Sequence, residues 1–197
     1  TFQTIGDTQS AVMAFENGDV DMITLTGDTV DQKKDDPAFQ SGMGIFNWYL
    51  SFNTLEVPNA NLRKAISCAI DRVTLCDYIL KDGSVPSYNV LQRGFCYGPK
   101  GTDFVDDCGS DPYDYNLDLA KEYWEKAQQE TDMRSITLIY EEDNAMIASV
   151  APYVQSAIES ALEGFTVNLQ IMPKKSRIEN MRTLNYQVAL HRWGPDY

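Results

Sequence analysis

The sequence predicts an α/β fold with a largely parallel sheet. In the second half of the chain, segments with apolar residues at helical spacing alternate with short segments in which apolar and polar residues alternate. The 197 residues can bury one sizeable core, or one domain with an appendage. A composition of 43% hydrophobic and 23% charged residues is ordinary for a globular protein. We therefore expect a sheet that is covered by helices.

The first part of the chain is predicted to be a separate segment. Residues 1–25 have the pattern of a strand, a helix that ends at Asn17-Gly18, and a second strand. The polar stretch from Gly27 to Gly44 predicts a linker or a short exposed helix. A domain boundary is expected within this stretch.

Two elements and a long loop follow. Residues 45–53 alternate as in a half-buried strand, and a helix with one apolar face is predicted after Pro58. Asp71 is the predicted N-cap of a second helix, which Lys81-Asp82-Gly83 ends. Residues 84–115 show little periodicity and many turn residues, so this loop is expected to be functional or pinned by cross-links.

The second half of the chain predicts three helices and three strands in alternation. Asn116 is the expected cap of the first helix, and Ser176 with Glu179 has the pattern of a capping box for the third. The last strand is predicted at residues 186–192.

Charge and hydropathy exclude several functions. The formal net charge of −13 leaves no basic stripe for phosphates, so nucleic acid is not an expected partner. No apolar run approaches the roughly 20 residues that span a bilayer. The N-terminus shows no signal-peptide pattern, which says little about location if the chain is a fragment.

Four cysteines raise the question of a disulfide. Cys96 and Cys108 flank a loop rich in Gly, Pro and Asp, which a bridge would tie down. Cys68 and Cys76 lie eight residues apart in helical sequence, about 12 Å, which is too far for pairing. Spacing alone does not fix the connectivity, but a Cys96–Cys108 bridge would favour an oxidising, extracytoplasmic setting.

The sequence contains no convincing catalytic or metal-binding constellation. His191 is the single histidine, and a surface or hinge position is expected for this residue. No cysteine has a recognisable nucleophile context. The acidic residues of the loop lack the order of a helical calcium site; they are Asp103, Asp106, Asp107, Asp111 and Asp114. We therefore expect neither enzymatic activity, nor a cofactor, nor a bound metal.

The last five residues, Trp193-Gly194-Pro195-Asp196-Tyr197, are the strongest candidates for function. They follow the predicted final strand, and open α/β sheets bind ligands at such strand ends. A carboxylate beside a large aromatic ring is suited to hold a cationic group such as an amine. For the aromatic residues Trp48 and Phe52 of the earlier strand, core packing is the expected role.

Two segments resemble a known family. Phe52-Asn53, Pro58 and the run NLRKAISCAIDR at residues 61–72 are similar to the signature "N…P…VRKALSYAIDR". Residues 186–188 followed by WGPDY are similar to "YD…GWxADY". Weaker similarities lie at residues 16–21 and 115–121. Both signatures belong to family 5 of the extracellular solute-binding proteins, which deliver oligopeptides to ABC transporters.

The resemblance implies a lobe of the type II periplasmic-binding-protein fold, with a mixed, mostly parallel sheet flanked by helices. Residues 1–44 would be the tail of the first lobe plus a linker, and residues 45–197 the second, C-terminal lobe up to the hinge. Such proteins close on an extended peptide, which they hold as an added strand, and then dock on a membrane permease. The expected partners are therefore a peptide, the missing N-terminal lobe and an ABC permease.

The resemblance also assigns residues. Asp196 would pair with the α-amino group of the ligand, while Arg192, Trp193 and Gly194 would offer main-chain groups and a ring wall. Tyr197 completes this set of expected ligand-binding residues.

One residue departs from the family pattern. Pro195 replaces a small residue and has no N–H to donate to a ligand. Some relatives bind nickel, haem, opines or oligosaccharides, so the family leaves the ligand open, and peptide is our expectation. A secreted hydrolase and a structural surface domain are the competing functions. The expected location is extracytoplasmic, with membrane contact only through a lipid anchor or the permease.

Overall fold

The computed structural model describes residues 2–42, 44, 46–109, 111–142 and 145–194, with only the backbone of Ala145. The chain divides into two compact units. Unit 1 comprises Thr1–Met43 and Val73–Val85, and unit 2 comprises Gly44–Arg72 and Pro86–Tyr197. Residues 73–85 thus form one compact unit with the first segment of the chain. The division into lobes at residues 44 and 45 stays a prediction.

Unit 1 is built from short helices. Helix α1 (Thr8–Glu16) begins at Asp7, whose carboxylate accepts a hydrogen bond from the Ser10 amide at 2.8 Å. Helix α2 (Asp28–Lys33) lies in the stretch predicted as a linker or exposed helix. A short α4 (Arg72–Thr74) continues as a π-helix over Leu75–Leu80, and Lys81 ends it in the left-handed conformation with φ 49°. The predicted second helix is therefore present, but most of it has π rather than α hydrogen bonding.

The two strands predicted within residues 1–25 are wrong for the described residues. Residues 2–5 and 22–25 have no regular structure. A strand is stabilised by hydrogen bonds to a neighbouring strand. Unit 1 offers none among its described residues, so an alternating pattern by itself does not form a ladder.

Unit 2 contains a four-stranded sheet. Its strands are β1 (Asn47–Phe52), β2 (Ser135–Glu141), β3 (Thr166–Met172) and β4 (Val188–Trp193), in the order β1-β4-β2-β3. β1 pairs antiparallel with β4, whereas β2 pairs parallel with both β3 and β4. The predicted mixed, mostly parallel α/β sheet is confirmed.

Five helices accompany this sheet among the described residues of unit 2: α3 (Ala60–Ala69), α5 (Phe104–Cys108), α6 (Leu117–Glu130), α7 (Ala145–Ala161) and α8 (Lys174–Arg182). The Asn116 side chain accepts from the Leu119 amide at 3.0 Å, which confirms the predicted cap of α6. Helix α5 lies inside the stretch predicted as a loop.

The start of α8 corrects a further prediction. The helix begins at Lys174 with Pro173 as its N-cap residue, so Ser176 lies within the first turn and forms no capping box. Proline has a fixed φ, here −57°, and lacks the N–H that a helix start leaves unpaired. These properties move the helix start towards Pro173.

The main core of unit 2 is aliphatic. Its largest fully buried aliphatic side chains come from α3, α7, β2, β3 and β4 and from two loop positions: Leu62, Ile66, Ile136, Leu138, Ile147, Ile158, Leu162, Val57, Val167 and Val188. A smaller buried cluster forms around Ile139, Met172 and Ala189, with Met181 of α8 packed against it. Strand β2 is therefore buried on both of its faces, which fixes the sheet between helices.

Candidate functional site

The carboxyl ends of the parallel strands meet at one edge of the sheet. Glu141, Met172 and Trp193 are the last residues of β2, β3 and β4, and the antiparallel β1 begins at Asn47 directly opposite Trp193. Open α/β sheets bind ligands at this edge. We define the site by the end of β4 and the residues around it.

Strand β4 is paired unequally on its two sides. It pairs with β1 over its whole length, from Val188 opposite Phe52 to Trp193 opposite Asn47. Among the described residues, β2 pairs with it only at Val188 and Ala189. From Leu190 to Trp193 the side of β4 that faces away from β1 forms no ladder pair in the described part of the chain. An extended ligand could add to the sheet there.

Trp193 and Arg192 lie on opposite faces of β4, because side chains alternate along a strand. Trp193 is the last residue of the strand rather than a residue beyond it, and its side chain is 61% exposed. The exposed Arg192 guanidinium stacks over Phe46 at 4.0 Å and over Trp48 at 5.2 Å. Trp48 is thus half-buried and supports Arg192, so the expected core packing holds only in part.

The remaining predicted ligand residues follow β4. Gly194 is half-buried and has no regular secondary structure. Pro195, Asp196 and Tyr197 lie outside the described residues, so the roles predicted for Asp196 and Tyr197 stay predictions.

His191 is not at the surface, which is one of the two positions expected for it. It is half-buried, its Nε2 lies 2.7 Å from Ser51 Oγ, and its ring meets the Tyr49 ring edge-on at 4.5 Å. Burial, together with the positive charge of Arg177, lowers the pKa of His191 to about 4. The imidazole is therefore neutral near pH 7 and links β4 to β1 beside the site.

A buried ion pair connects α8 to the end of β2. Arg177 Nη2 donates to Glu141 Oε2 at 3.0 Å, and the two residues are only 5% and 6% exposed. Arg177 Nη1 also contacts Met181 Sδ at 3.3 Å, whereas its Nε has no partner among the described residues. Sequence analysis missed this pair. Its only signal is a charged residue at the end of an apolar strand, which by itself indicates an exposed end.

The buried histidine predicts a pH dependence. Its folded-state pKa of about 4 lies below the usual 6.5, so the unfolded chain binds a proton more readily. Stability from this group is complete above pH 6.5 and decreases as the pH falls towards 4. Urea unfolding at pH 7 and pH 5 should show this loss, and His191→Gln should reduce it. An unchanged pH dependence in that variant would contradict the burial of His191.

The long loop contacts the site through Asn47. This buried side chain donates to the carbonyl oxygens of Asn89 and Val90, at 2.7 and 3.0 Å. Within the same loop, Cys96 is half-buried and Cys108 exposed, and both are free thiols in the structure. The predicted bridge between them therefore stays a prediction.

A cavity of about 310 Å³ lies in unit 1. Its lining residues are Val30, Asp31, Cys76, Asp77, Lys81, Gly83 and Ser84. None of them belongs to the residues predicted to bind a ligand. The end of β4 is unpaired on one side within the described residues and its Trp193 is exposed, so it is suited to a ligand that a second surface covers.

The fold is that of a type II periplasmic-binding protein, as similar solved structures show. The model of the bacterial extracellular solute-binding proteins, family 5 (Middle), matches residues 1–197. The chain belongs to this family, which confirms the resemblance seen in the sequence.

Individual relatives are named for peptides. The dipeptide-binding protein of Lactococcus lactis subsp. cremoris (strain MG1363) is 26% identical over 210 residues, which cover 100% of this chain and 38% of that protein. The pheromone receptor PrgZ, solved to show its mode of peptide binding, has a TM-score of 0.87 and 26% identity over 100% of this chain and 39% of its own. OppA of Listeria monocytogenes, bound to peptide, has a TM-score of 0.86 and 25% identity, and the match covers 99% of this chain and 40% of that one.

The chain thus spans about two fifths of the length of the relatives it matches. Within the described residues, no helix combines the length and the apolar character needed to cross a bilayer.

Proposed function

We propose that this chain is the main part of the second lobe of an oligopeptide-binding protein that serves an ABC importer. The observation that supports this most directly is the open side of β4 from Leu190 to Trp193, at the ligand-binding edge of the sheet. A peptide has the donors and acceptors, at the right spacing, to extend the sheet there. The names of the relatives and of the similar structures point to the same ligand class.

The end of β4 offers groups suited to such a ligand. Its main-chain groups would recognise any peptide, whatever its sequence, and Gly194 would let the ligand backbone approach closely. The exposed Trp193 ring would form one wall of the site and cover the ligand. Arg192, stacked on Phe46 and Trp48, is held on the opposite face of the sheet.

Asp196 would pair with the α-amino group of the peptide. This assignment comes from the WGPDY segment and its resemblance to the family motif. The pair would be buried between the two lobes once they close, where an ion pair with good geometry is specific. Pro195 has no N–H, so one donor to the ligand main chain is missing from this segment.

The complete protein would act outside the cytoplasm, reach the membrane through a lipid anchor or the permease, and bind rather than convert its ligand. The first segment of the chain would then be the tail of the first lobe, whose remainder lies outside this sequence.

Ligand-induced thermal stabilisation of the complete two-lobe protein tests the proposal. A ligand that binds only the folded state raises the melting temperature by mass action. We expect stabilisation by a mixed peptide pool and none by an oligosaccharide pool, nickel, haem or an opine. Stabilisation by one of these alone would keep the family but exclude peptide as the ligand, and release of amino acids from the peptides would indicate a hydrolase.

A further inference from the structure

Residues 93–108, here called the cysteine hairpin, form a small folded unit within the long loop. Tyr97 and Asp103 are antiparallel bridge partners, flanked by hydrogen bonds from Gly98 N to Thr102 O at 2.8 Å and from Phe104 N to Cys96 O at 3.0 Å. The chain then enters α5, which ends at Cys108. The two cysteines therefore lie at the two ends of one local structure.

Helix α5 is fixed to the hairpin by its acidic side chains. The buried Asp103 carboxylate accepts from Val105 N at 2.8 Å and from Gly94 N at 2.6 Å. Asp106 forms two hydrogen bonds with Arg93, at 2.8 and 3.0 Å. These contacts hold the helix against the turn at residues 93 and 94, which precedes the bridge.

The turn of the hairpin packs closely against the same helix. Thr102 Oγ1 donates to the Asp107 carboxylate, whose two oxygens lie at 2.8 and 2.9 Å. A Cβ on Gly98 would lie 2.6 Å from Asp107 Oδ2, so a larger residue here would displace the Asp107 carboxylate. Asp103, Asp106 and Asp107 thus have structural partners within the loop.

This arrangement places the two cysteines in one local unit, Cys96 next to the Tyr97–Asp103 bridge and Cys108 at the end of α5. Cys96 lies opposite Phe104, and residues paired in this way have Cα atoms about 5.5 Å apart. Cys108 follows Phe104 by four residues in α5, so it lies one helical turn away on the same face. The Cβ atoms of Phe104 and Cys108 are therefore about 6 Å apart. Disulfides need Cα atoms about 4 to 7 Å apart, so the bridge requires the last turn of α5 to lie against Cys96.

We propose that Cys96 and Cys108 form a disulfide that locks the cysteine hairpin. Both side chains have access to solvent, Cys108 more than Cys96, whereas Cys68 and Cys76 are buried. The family is extracellular, where disulfides form and persist. The bridge would close the end of the loop that Asn47 holds through Asn89 and Val90 at the start of β1.

The chemistry is a thiol–disulfide exchange with an extracytoplasmic oxidoreductase or a small disulfide such as oxidised glutathione. The exposed Cys108 thiolate attacks a sulfur of the oxidant and forms a mixed disulfide. The Cys96 thiolate then displaces the remaining oxidant sulfur. One S–S bond forms in the protein and one breaks in the oxidant, which leaves with two electrons and two protons.

Alkylation and mass spectrometry of the complete protein test the bridge. The protein is prepared without reductant, exposed to oxidised glutathione, unfolded, and treated with iodoacetamide. We expect the Cys96 and Cys108 peptides to be joined and two hydrogen atoms lighter than the separate thiols. Cys68 and Cys76 serve as internal controls and should be alkylated. Alkylation of Cys96 and Cys108 in this sample, or a bridge between another pair, would overturn the proposal.

A second measurement tests the lock itself. Reduction should lower the thermal stability of the wild-type protein, because the bridge restricts the unfolded loop. It should leave the Cys96→Ser/Cys108→Ser double variant unchanged. An equal effect of reductant on both proteins would overturn the lock. Neither readout requires a ligand, so the result is independent of whether the protein binds peptides.

Discussion

Replacing Asp196 with alanine in the complete protein is expected to weaken peptide binding by about 2 to 5 kcal/mol. The reason is that the α-amino group of the peptide would remain buried in the closed cleft without its carboxylate partner. Each 1.4 kcal/mol corresponds to about a tenfold change in affinity, so the loss should be at least tens of fold. Isothermal titration with a single defined peptide measures this change.

The control for this experiment separates the local charge from the overall charge of the protein. Asp132 is an exposed acid between α6 and β2, and Asp132→Ala removes the same charge elsewhere. That variant should bind the peptide as the wild type does. An N-acetylated peptide lacks the charged α-amino group, so it should bind the wild type weakly. Its affinities for the wild type and for Asp196→Ala should be similar. Wild-type affinity in Asp196→Ala would show that this carboxylate does not hold the amine.

Replacing Glu141 with alanine is expected to destabilise the protein by about 3 to 5 kcal/mol. Arg177 is only 5% exposed, and its guanidinium would keep a buried charge without the carboxylate that lies 3.0 Å from it. Its Nε already has no partner among the described residues, so little compensation is available nearby. The change should appear as a lower midpoint of urea unfolding, followed by tryptophan fluorescence.

The neighbouring Glu142 provides a matched control, because it is exposed and belongs to no ion pair among the described residues. Glu142→Ala should change the free energy of unfolding by about 0.5 kcal/mol or less. The double variant Glu141→Met/Arg177→Met should recover most of the stability, since two apolar side chains replace both charges. Equal effects of Glu141→Ala and Glu142→Ala would contradict the burial of the pair.

Local patterns in the sequence were sufficient for most elements of unit 2. Asn116 caps α6 as predicted, because a cap depends on residues only a few positions apart. The alternation in β2 and the apolar faces of α3 and α7 likewise predicted which side chains are buried. The strand-end segment and the family resemblance also came from short, contiguous motifs.

Local patterns failed where a distant partner decides the outcome. The alternating residues before Leu25 form no strand, because a strand requires a neighbour that no local pattern supplies. Ser176 and Glu179 had the spacing of a capping box, but the helix starts at Pro173 instead. Trp48 has a large aromatic side chain of the kind that usually packs in a core, yet it supports Arg192 at the edge of the sheet.

The sequence by itself therefore determined the family, the α/β class and the location of the candidate site after the last strand. Only the tertiary structure decided that β2 leaves β4 after two paired residues, that Glu141 and Arg177 meet across 36 positions, and that His191 is neutral. The physical reason is the sequence distance over which each kind of interaction acts. Caps, turns and periodicity arise within a few residues, whereas register, burial and buried charge depend on segments that only folding brings together.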